Sequence, residues 1–253
     1  MTDQQDNTKS DADVEHSKPR SRGIYLLPNL FTTGALFAGF YAVTSGMAGQ
    51  FENAAIAIFV AMVFDGLDGR VARMTNTSSA FGAEYDSLSD MVSFGVAPSL
   101  VAFNWVLADM GKLGWFAAFI YVAGAALRLA RFNTQIGSVD KRYFIGLPSP
   151  AAAAAVAGLV WAAVEYGIDA SQYSYLIAFY LAAAGVLMVS NVLYYSFKDV
   201  DFRGKVPFII LTAIVLGLAI ISINPPTFLW LLLLAYAVSG PLLWIWRRRK
   251  RTA

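Results

Sequence analysis

The sequence predicts an all-α integral membrane protein with eight transmembrane helices. Of its 253 residues, 57% are apolar and only 14% are charged, whereas about a quarter of the residues in a soluble domain are charged. Apolar runs of about 20 residues, the length that crosses ~30 Å of hydrocarbon, can be placed eight times between residues 23 and 246. These two observations exclude an ordinary water-soluble globule.

The eight spans follow one another closely and leave little chain for a second domain. They are predicted near residues 24–46, 53–73, 82–108, 115–134, 149–167, 173–195, 206–223 and 227–246. Residues 1–22 are charged and contain no apolar run, so we expect a flexible cytoplasmic tail there. Residues 247–253 form a second, basic cytoplasmic tail, and residues 23–246 are expected to be a single transmembrane domain.

The basic residues test this count, because Lys and Arg collect in the cytoplasmic loops of membrane proteins. If the N-terminal tail lies inside, 18 of the 19 basic residues fall in inner segments and only Lys112 falls outside. An error of one span would destroy this alternation, so we expect both termini to be cytoplasmic. The net charge of +2 is too small to indicate a nucleic-acid partner, and the absence of Cys excludes disulfides and thiolate metal sites.

Four aspartates lie where the second and third spans enter the membrane: Asp65, Asp68, Asp86 and Asp90. Residues three or four apart share a helix face, and the short break at 75–79 makes the two helices antiparallel neighbours. A charge facing lipid costs ~2.5–3.5 kcal/mol, so we expect the aspartates to line a polar cavity. Four converging carboxylates repel one another unless cations lie between them, and oxygen ligands without His or Cys favour magnesium, manganese or calcium.

Small residues and one arginine accompany the aspartates. Gly69, Ala72 and Gly82 fall on the same predicted faces, where missing side chains leave room for a ligand against the backbone. Arg73 adds a planar set of N–H donors suited to phosphate. Cations, an arginine and a floor without side chains are features of a diphosphate-binding site.

The pattern D-x-x-D-G-x-x-A-R-x8-G-x-x-x-D-x-x-x-D runs from Asp65 to Asp90 with no position missing. It resembles the signature of the CDP-alcohol phosphotransferase family. Four flanking segments, at 27–33, 84–98, 128–133 and 146–150, are similar to the membrane-integral bacterial phosphatidylserine synthases of that family. The resemblance covers most of residues 25–210.

The resemblance implies the family fold and transfer of a phosphatidyl group from CDP-diacylglycerol to the hydroxyl of L-serine. It implies that Asp65, Asp68, Asp86 and Asp90 hold two divalent ions, Mn²⁺ or Mg²⁺, and that Asp90 is also the general base. It further implies a homodimer in the bacterial inner membrane, surrounded by membrane lipids, with its active site open to the cytoplasm.

The same resemblance assigns substrate-binding residues. For the CDP moiety they are Gly69, Ala72, Arg73, Gly82, Asn29 and Thr32, and for the lipid phosphate or the serine carboxylate they are Arg128 and Arg131. Arg128 and Arg131 are explained equally well as basic anchors at the cytoplasmic surface.

Two alternatives remain open at this stage. Another member of the family would use glycerol 3-phosphate or inositol as the acceptor in place of serine. A divalent-cation or proton-coupled transporter would also carry intramembrane carboxylates, but transporters built from repeats place their sites in both halves of the chain. Here the acids occupy a single helix pair, which favours an enzyme.

Overall fold

The computed structural model describes residues 26–75, 77, 79–134, 143–196 and 208–252. We number its long helices α1 (Leu26–Met47), α2 (Phe51–Thr75), α3 (Ala80–Met110), α4 (Lys112–Thr134), α5 (Ser149–Glu165), α6 (Ser174–Val189), α7 (Phe208–Ile223) and α8 (Pro225–Thr252). These eight helices match the predicted spans one for one and confirm the count. The predicted tail at 1–22 lies outside the described residues.

Within the described part of the chain, five segments are long and apolar enough to cross a membrane by length and composition alone: Leu27–Met47, Ala80–Met110, Lys112–Thr134, Ala170–Val189 and Pro225–Lys250. Helix α2 has the length but carries several charged residues, and α5 and α7 are shorter, with 17 and 16 residues. The protein is therefore a multi-pass membrane protein.

The sixth span ends earlier than predicted. Its helix, preceded by a short 3₁₀ turn at Ala170–Tyr173, stops at Val189 instead of continuing to 195. Ser190 follows with an extended backbone, ψ 161°, because Ser and Asn side chains compete with the helical backbone for hydrogen bonds. The chain then forms strand β2 (Leu193–Tyr195), which pairs antiparallel with β1 (Tyr143–Ile145) in a two-stranded ribbon.

Helix α3 is continuous but contains two wider π-helical stretches, Met91–Val96 and Phe103–Leu107. The first begins directly after Asp90. Pro98 has no N–H to donate to the carbonyl of Phe94, and the Tyr121 hydroxyl donates to that carbonyl instead, at 3.1 Å. A hydroxyl on α4 thus satisfies the backbone where the helix of the aspartates widens.

Helix pairs pack closely in the interior: α1 against α2, α2 against α5, α4 against α6, and α5 against α8. The alanine-rich α5 lies in the middle and is buried along most of its length. Between α4 and α6 the backbones meet at Gly124 and Gly185, where a Cβ on Gly185 would lie 2.7 Å from the Cα of Tyr121. This packing joins α4 and α6 into one unit, and α1, α2 and α3 carry the candidate site at one end of the bundle.

Candidate active site

The structure brings the four aspartates together, and we call them the aspartate cluster. Asp65 and Asp68 lie in the last turns of α2, and Asp86 and Asp90 lie in the first turns of α3. One carboxylate oxygen from each of Asp65, Asp68 and Asp86 lies within 4.8 Å of the other two. Asp90 is outside this group of three, but its carboxyl is within hydrogen-bonding range of Asp65.

The group of three fits a hard divalent cation. Metal–oxygen distances of about 2.1–2.4 Å place opposite ligands of one ion at most ~4.8 Å apart, and the three oxygens satisfy that limit. Asp68 is buried and Asp65 and Asp86 are half-buried, so three negative charges share a site that is partly shielded from water. Like charges at this separation repel strongly, which a cation would offset.

Helix α1 is hydrogen-bonded to both helices that carry the aspartate cluster. The Thr32 hydroxyl donates to Oδ2 of Asp68 at 2.7 Å, and the carbonyl of Thr32 accepts from the Ser89 hydroxyl at 3.1 Å. One residue on α1 therefore contacts both α2 and α3. The next residue, Thr33, shares a hydrogen bond of 2.9 Å with the Tyr85 hydroxyl on α3.

A pocket of about 140 Å³, open to solvent, adjoins Asp68 and Asp86. Five of the residues predicted for the CDP moiety line it: Asn29, Thr32, Gly69, Ala72 and Gly82. Arg73, the sixth, is exposed beside the pocket, and its Nη1 would lie 3.4 Å from a Cβ on Gly69. The pocket and the aspartate cluster share Asp68 and Asp86, so a ligand in the pocket contacts the cluster.

Four further residues line the pocket and were not predicted from the sequence: Pro28, Thr77, Ser79 and Ala83. Ser79 is the N-cap of α3, and its Oγ accepts the backbone N–H of Gly82 at 3.0 Å. A Ser just before a helix is an N-cap signal, so the sequence contained this information. A Cβ on Gly82 would lie 3.2 Å from the same Oγ and 3.4 Å from Oδ1 of Asn29, which shows how closely the pocket wall approaches this backbone.

The two arginines of α4 have different surroundings. Arg128 donates from Nη1 to the buried Oγ of Ser149 at 2.6 Å, and its charge acts on Asp65 and Asp90. Arg131 donates instead to backbone carbonyls at the end of α6 and in β1. The structure therefore brings Arg128 to the aspartate cluster and does not bring Arg131 there.

This chain is similar in sequence to named proteins of other organisms. The family model described as CDP-alcohol phosphatidyltransferase matches residues 25–194. A Helicobacter pylori protein named CDP-diacylglycerol–serine O-phosphatidyltransferase is 37% identical over 222 residues, which cover 88% of this chain and 92% of that protein. Proteins with the same name are 31% identical in Mycobacterium tuberculosis, over 88% of this chain and 81% of the relative, and 38% identical in Methanocaldococcus jannaschii, over 78% and 87%.

Proposed function

Because this chain belongs to the CDP-alcohol phosphatidyltransferase family, we propose that it transfers the phosphatidyl group of CDP-diacylglycerol to the hydroxyl of L-serine. The products are phosphatidylserine and CMP. The observation that carries the proposal is the meeting of the aspartate cluster and a glycine-walled pocket at Asp68 and Asp86. The names and coverage of the relatives support serine as the acceptor.

Divalent metals serve this family, and the carboxylates present fit them. We assign Asp65, Asp68, Asp86 and Asp90 as the ligands of two ions, Mn²⁺ or Mg²⁺. Bound there, such ions neutralise the diphosphate and stabilise the charge that develops on the departing CMP. Asp65, Asp68 and Asp86 supply the tightest set of oxygens, and Asp90 lies beside them next to Asp65.

Asp90 is assigned as the general base. The hydroxyl oxygen of serine attacks the phosphorus that bears the diacylglycerol, the bond from that phosphorus to the CMP oxygen breaks, and the serine proton passes to Asp90. The structure supports a distinct role for this residue, because Asp90 stands outside the group of three oxygens and yet contacts it. A carboxylate is a weak base beside a cation, so correct placement contributes more than its basicity.

The pocket is assigned to the CDP moiety. Asn29 and Thr32 line one wall from α1, and Gly69, Ala72 and Gly82 form the wall without large side chains. Arg73 at the rim provides N–H donors for a phosphate oxygen. With the nucleotide in this pocket, its diphosphate lies against Asp68 and Asp86.

Arg128 is assigned to the remaining anionic group, which is either the lipid phosphate or the serine carboxylate. It is the arginine whose charge reaches Asp65 and Asp90, and among the described residues it makes one hydrogen bond, to Ser149. A guanidinium has five N–H donors, so donors remain for a ligand.

Residues 23–246 form one catalytic transmembrane domain in the bacterial inner membrane, with both termini and the active site on the cytoplasmic side, as the distribution of basic residues indicates. Soluble serine and CMP then enter and leave from the cytoplasm, and the acyl chains stay in the bilayer. We further propose a homodimer.

Purified protein in lipid nanodiscs tests the reaction directly. It is supplied with CDP-diacylglycerol, Mn²⁺ or Mg²⁺, and one of serine, glycerol 3-phosphate or inositol, and the release of CMP is followed. We expect turnover with serine alone and complete loss on chelation, with recovery when the metal is restored. Faster CMP release with glycerol 3-phosphate or inositol would assign a different acceptor, and metal flux into sealed vesicles without CMP release would indicate a transporter.

A further inference from the structure

Arg131, in the last turns of α4, donates to five acceptors on other segments. Its Nη1 lies 3.0 Å from the carbonyl oxygen of Val189 and 3.3 Å from Oδ1 of Asn191. Its Nη2 lies 3.0 Å from the carbonyl of Ile145 and 3.3 Å from those of Met188 and Ser190. We call this arrangement, Arg131 with its five acceptors, the arginine clasp.

The clasp closes the end of a helix. Met188 and Val189 lie in the last turn of α6, where backbone carbonyls have no partner within the helix, and a positive charge at that end is favourable. Both terminal nitrogens of Arg131 face protein acceptors, so its guanidinium presents no pair of free N–H groups to a carboxylate or phosphate. Arg131 therefore serves to hold segments of the protein together.

The clasp also fixes the turn between β1 and α5. Gly146 has a φ of 81°, its N–H donates to the carbonyl of Val192 at 2.8 Å, and the N–H of Leu147 donates to Leu187 at 3.0 Å. A Cβ on Gly146 would lie 2.9 Å from Nη2 of Arg131. The turn is thus pressed between Arg131 and the chain that leaves α6.

This turn leads directly to Arg128. Ser149 begins α5 three residues after Gly146, is buried, and accepts the 2.6 Å hydrogen bond from Arg128. Any shift of the turn moves Ser149, and with it the guanidinium that acts on Asp65 and Asp90. Arg131 is therefore connected to the aspartate cluster through Gly146, Ser149 and Arg128.

We propose that Arg131 is a positioning residue: it fastens the end of α6 to the β1–α5 turn and thereby sets the place of Ser149 and of the Arg128 guanidinium beside the aspartates. It does not itself bind substrate. The consequence for serine turnover rests on the proposed function, whereas the effect on the turn does not.

The test uses the full-length protein in nanodiscs and four variants: Arg131→Lys, Arg128→Lys, the double variant, and Asn191→Ala. Lysine keeps the charge but has a single nitrogen that cannot reach both α6 and β1. Asn191→Ala removes one acceptor and keeps the guanidinium, so it reports on the clasp if Arg131→Lys does not fold. Arg249→Lys, at the exposed end of α8, is the matched control.

Two measurements are made on each variant. Hydrogen exchange at the amides of Gly146 and Leu147 reports on the turn without any substrate, and steady-state kinetics give kcat and KM for serine and for CDP-diacylglycerol. We expect Arg131→Lys to speed exchange at both amides and to lower kcat/KM for serine about tenfold, a typical size for coupled residues. The KM should rise for whichever substrate carries the anionic group that Arg128 binds, serine or CDP-diacylglycerol, and Asn191→Ala should show the same pattern more weakly.

The double variant decides the mechanism. If Arg131 acts through Arg128, adding Arg131→Lys to Arg128→Lys costs little further activity, because the losses are not additive for coupled residues. Additive losses, or unchanged exchange at Gly146 and Leu147 in Arg131→Lys, would overturn the proposal. If the parent protein releases no CMP with serine while the exchange still accelerates, the proposed reaction is wrong and the clasp is retained.

Discussion

The aspartate cluster and the arginine clasp lie at the same end of the bundle and are built in opposite ways. In the cluster, three carboxylate oxygens crowd within 4.8 Å of one another, and the positive charge that would balance them is left to a ligand. In the clasp, one guanidinium meets five acceptors of the protein itself. Carboxylates whose charge the protein leaves unbalanced are available to bind a ligand. A guanidinium whose donors are already paired within the protein stabilises the structure instead.

The largest effect is expected when the proton acceptor of the aspartate cluster is removed. Asp90→Asn should lower kcat for serine by about 10²–10⁴-fold, the usual contribution of a general base, because the amide cannot take the proton. Binding of CDP-diacylglycerol, measured by equilibrium titration in nanodiscs, should change little.

Glu84→Gln is the matched control for Asp90→Asn. Glu84 lies on the same helix but is exposed, so removing its charge should leave kcat within about twofold of the parent value. Retention of full activity by Asp90→Asn, or an equal loss in Glu84→Gln, would contradict the role assigned to Asp90.

The next effect concerns the cation. Asp86→Asn removes one of the three converging oxygen ligands, and we expect the Mn²⁺ concentration for half-maximal CMP release to rise by about 100-fold. Loss of even an indirect metal contact costs about 10–100-fold in affinity. Activity should return at high Mn²⁺, and a variant that needs no more metal than the parent would show that Asp86 is not a ligand.

Much of this site could be predicted from sequence because it depends on local regularities. Apolar runs of membrane length fix the helices, and spacings of three and four fix which side of a helix Asp65, Asp68, Asp86 and Asp90 share. The pocket wall at Gly69 and Gly82 follows from the same spacings. Ser79 was missed although it carries a capping signal that is readable in one sequence.

The arginine clasp could not be predicted in the same way. Its acceptors are backbone carbonyls contributed by distant segments, and a carbonyl has no signal in the sequence. In the sequence, only Ser190 and Asn191 within an apolar run indicate that α6 ends at Val189. The span predicted at 173–195 included both residues and was therefore too long. Arg131 therefore looked like Arg128, because both are basic residues one helical turn apart on α4.

A smaller effect is expected at the pocket wall. Gly82→Ala places a methyl group about where Ser79 and Asn29 approach to 3.2 and 3.4 Å, so we expect the KM for CDP-diacylglycerol to rise about tenfold, or ~1.4 kcal/mol. The kcat should be nearly unchanged, because the aspartate cluster is untouched. Gly66→Ala is the control, since a Cβ there meets no atom of the described residues within 4 Å, and equal KM values for the two variants would remove Gly82 from the nucleotide site.

The smallest effect on catalysis is expected at the contact between α4 and α6, about one helical turn before the clasp acceptors Met188 and Val189. A side chain on Gly185 would lie 2.7 Å from both the carbonyl of Ile120 and the Cα of Tyr121, so Gly185→Val must push the two backbones apart. Overpacking of this kind costs about 1–3 kcal/mol, which should lower the midpoint of thermal unfolding, and in the folded protein kcat/KM for serine should fall less than in Arg131→Lys, because the change reaches Arg128 only through the clasp. Gly217→Ala on α7, where a Cβ meets no atom within 4 Å in the part of the chain that the structure describes, should leave the midpoint unchanged. A loss of activity in folded Gly185→Val larger than that of Arg131→Lys would show that the α4–α6 contact acts on the chemistry by a route other than the clasp.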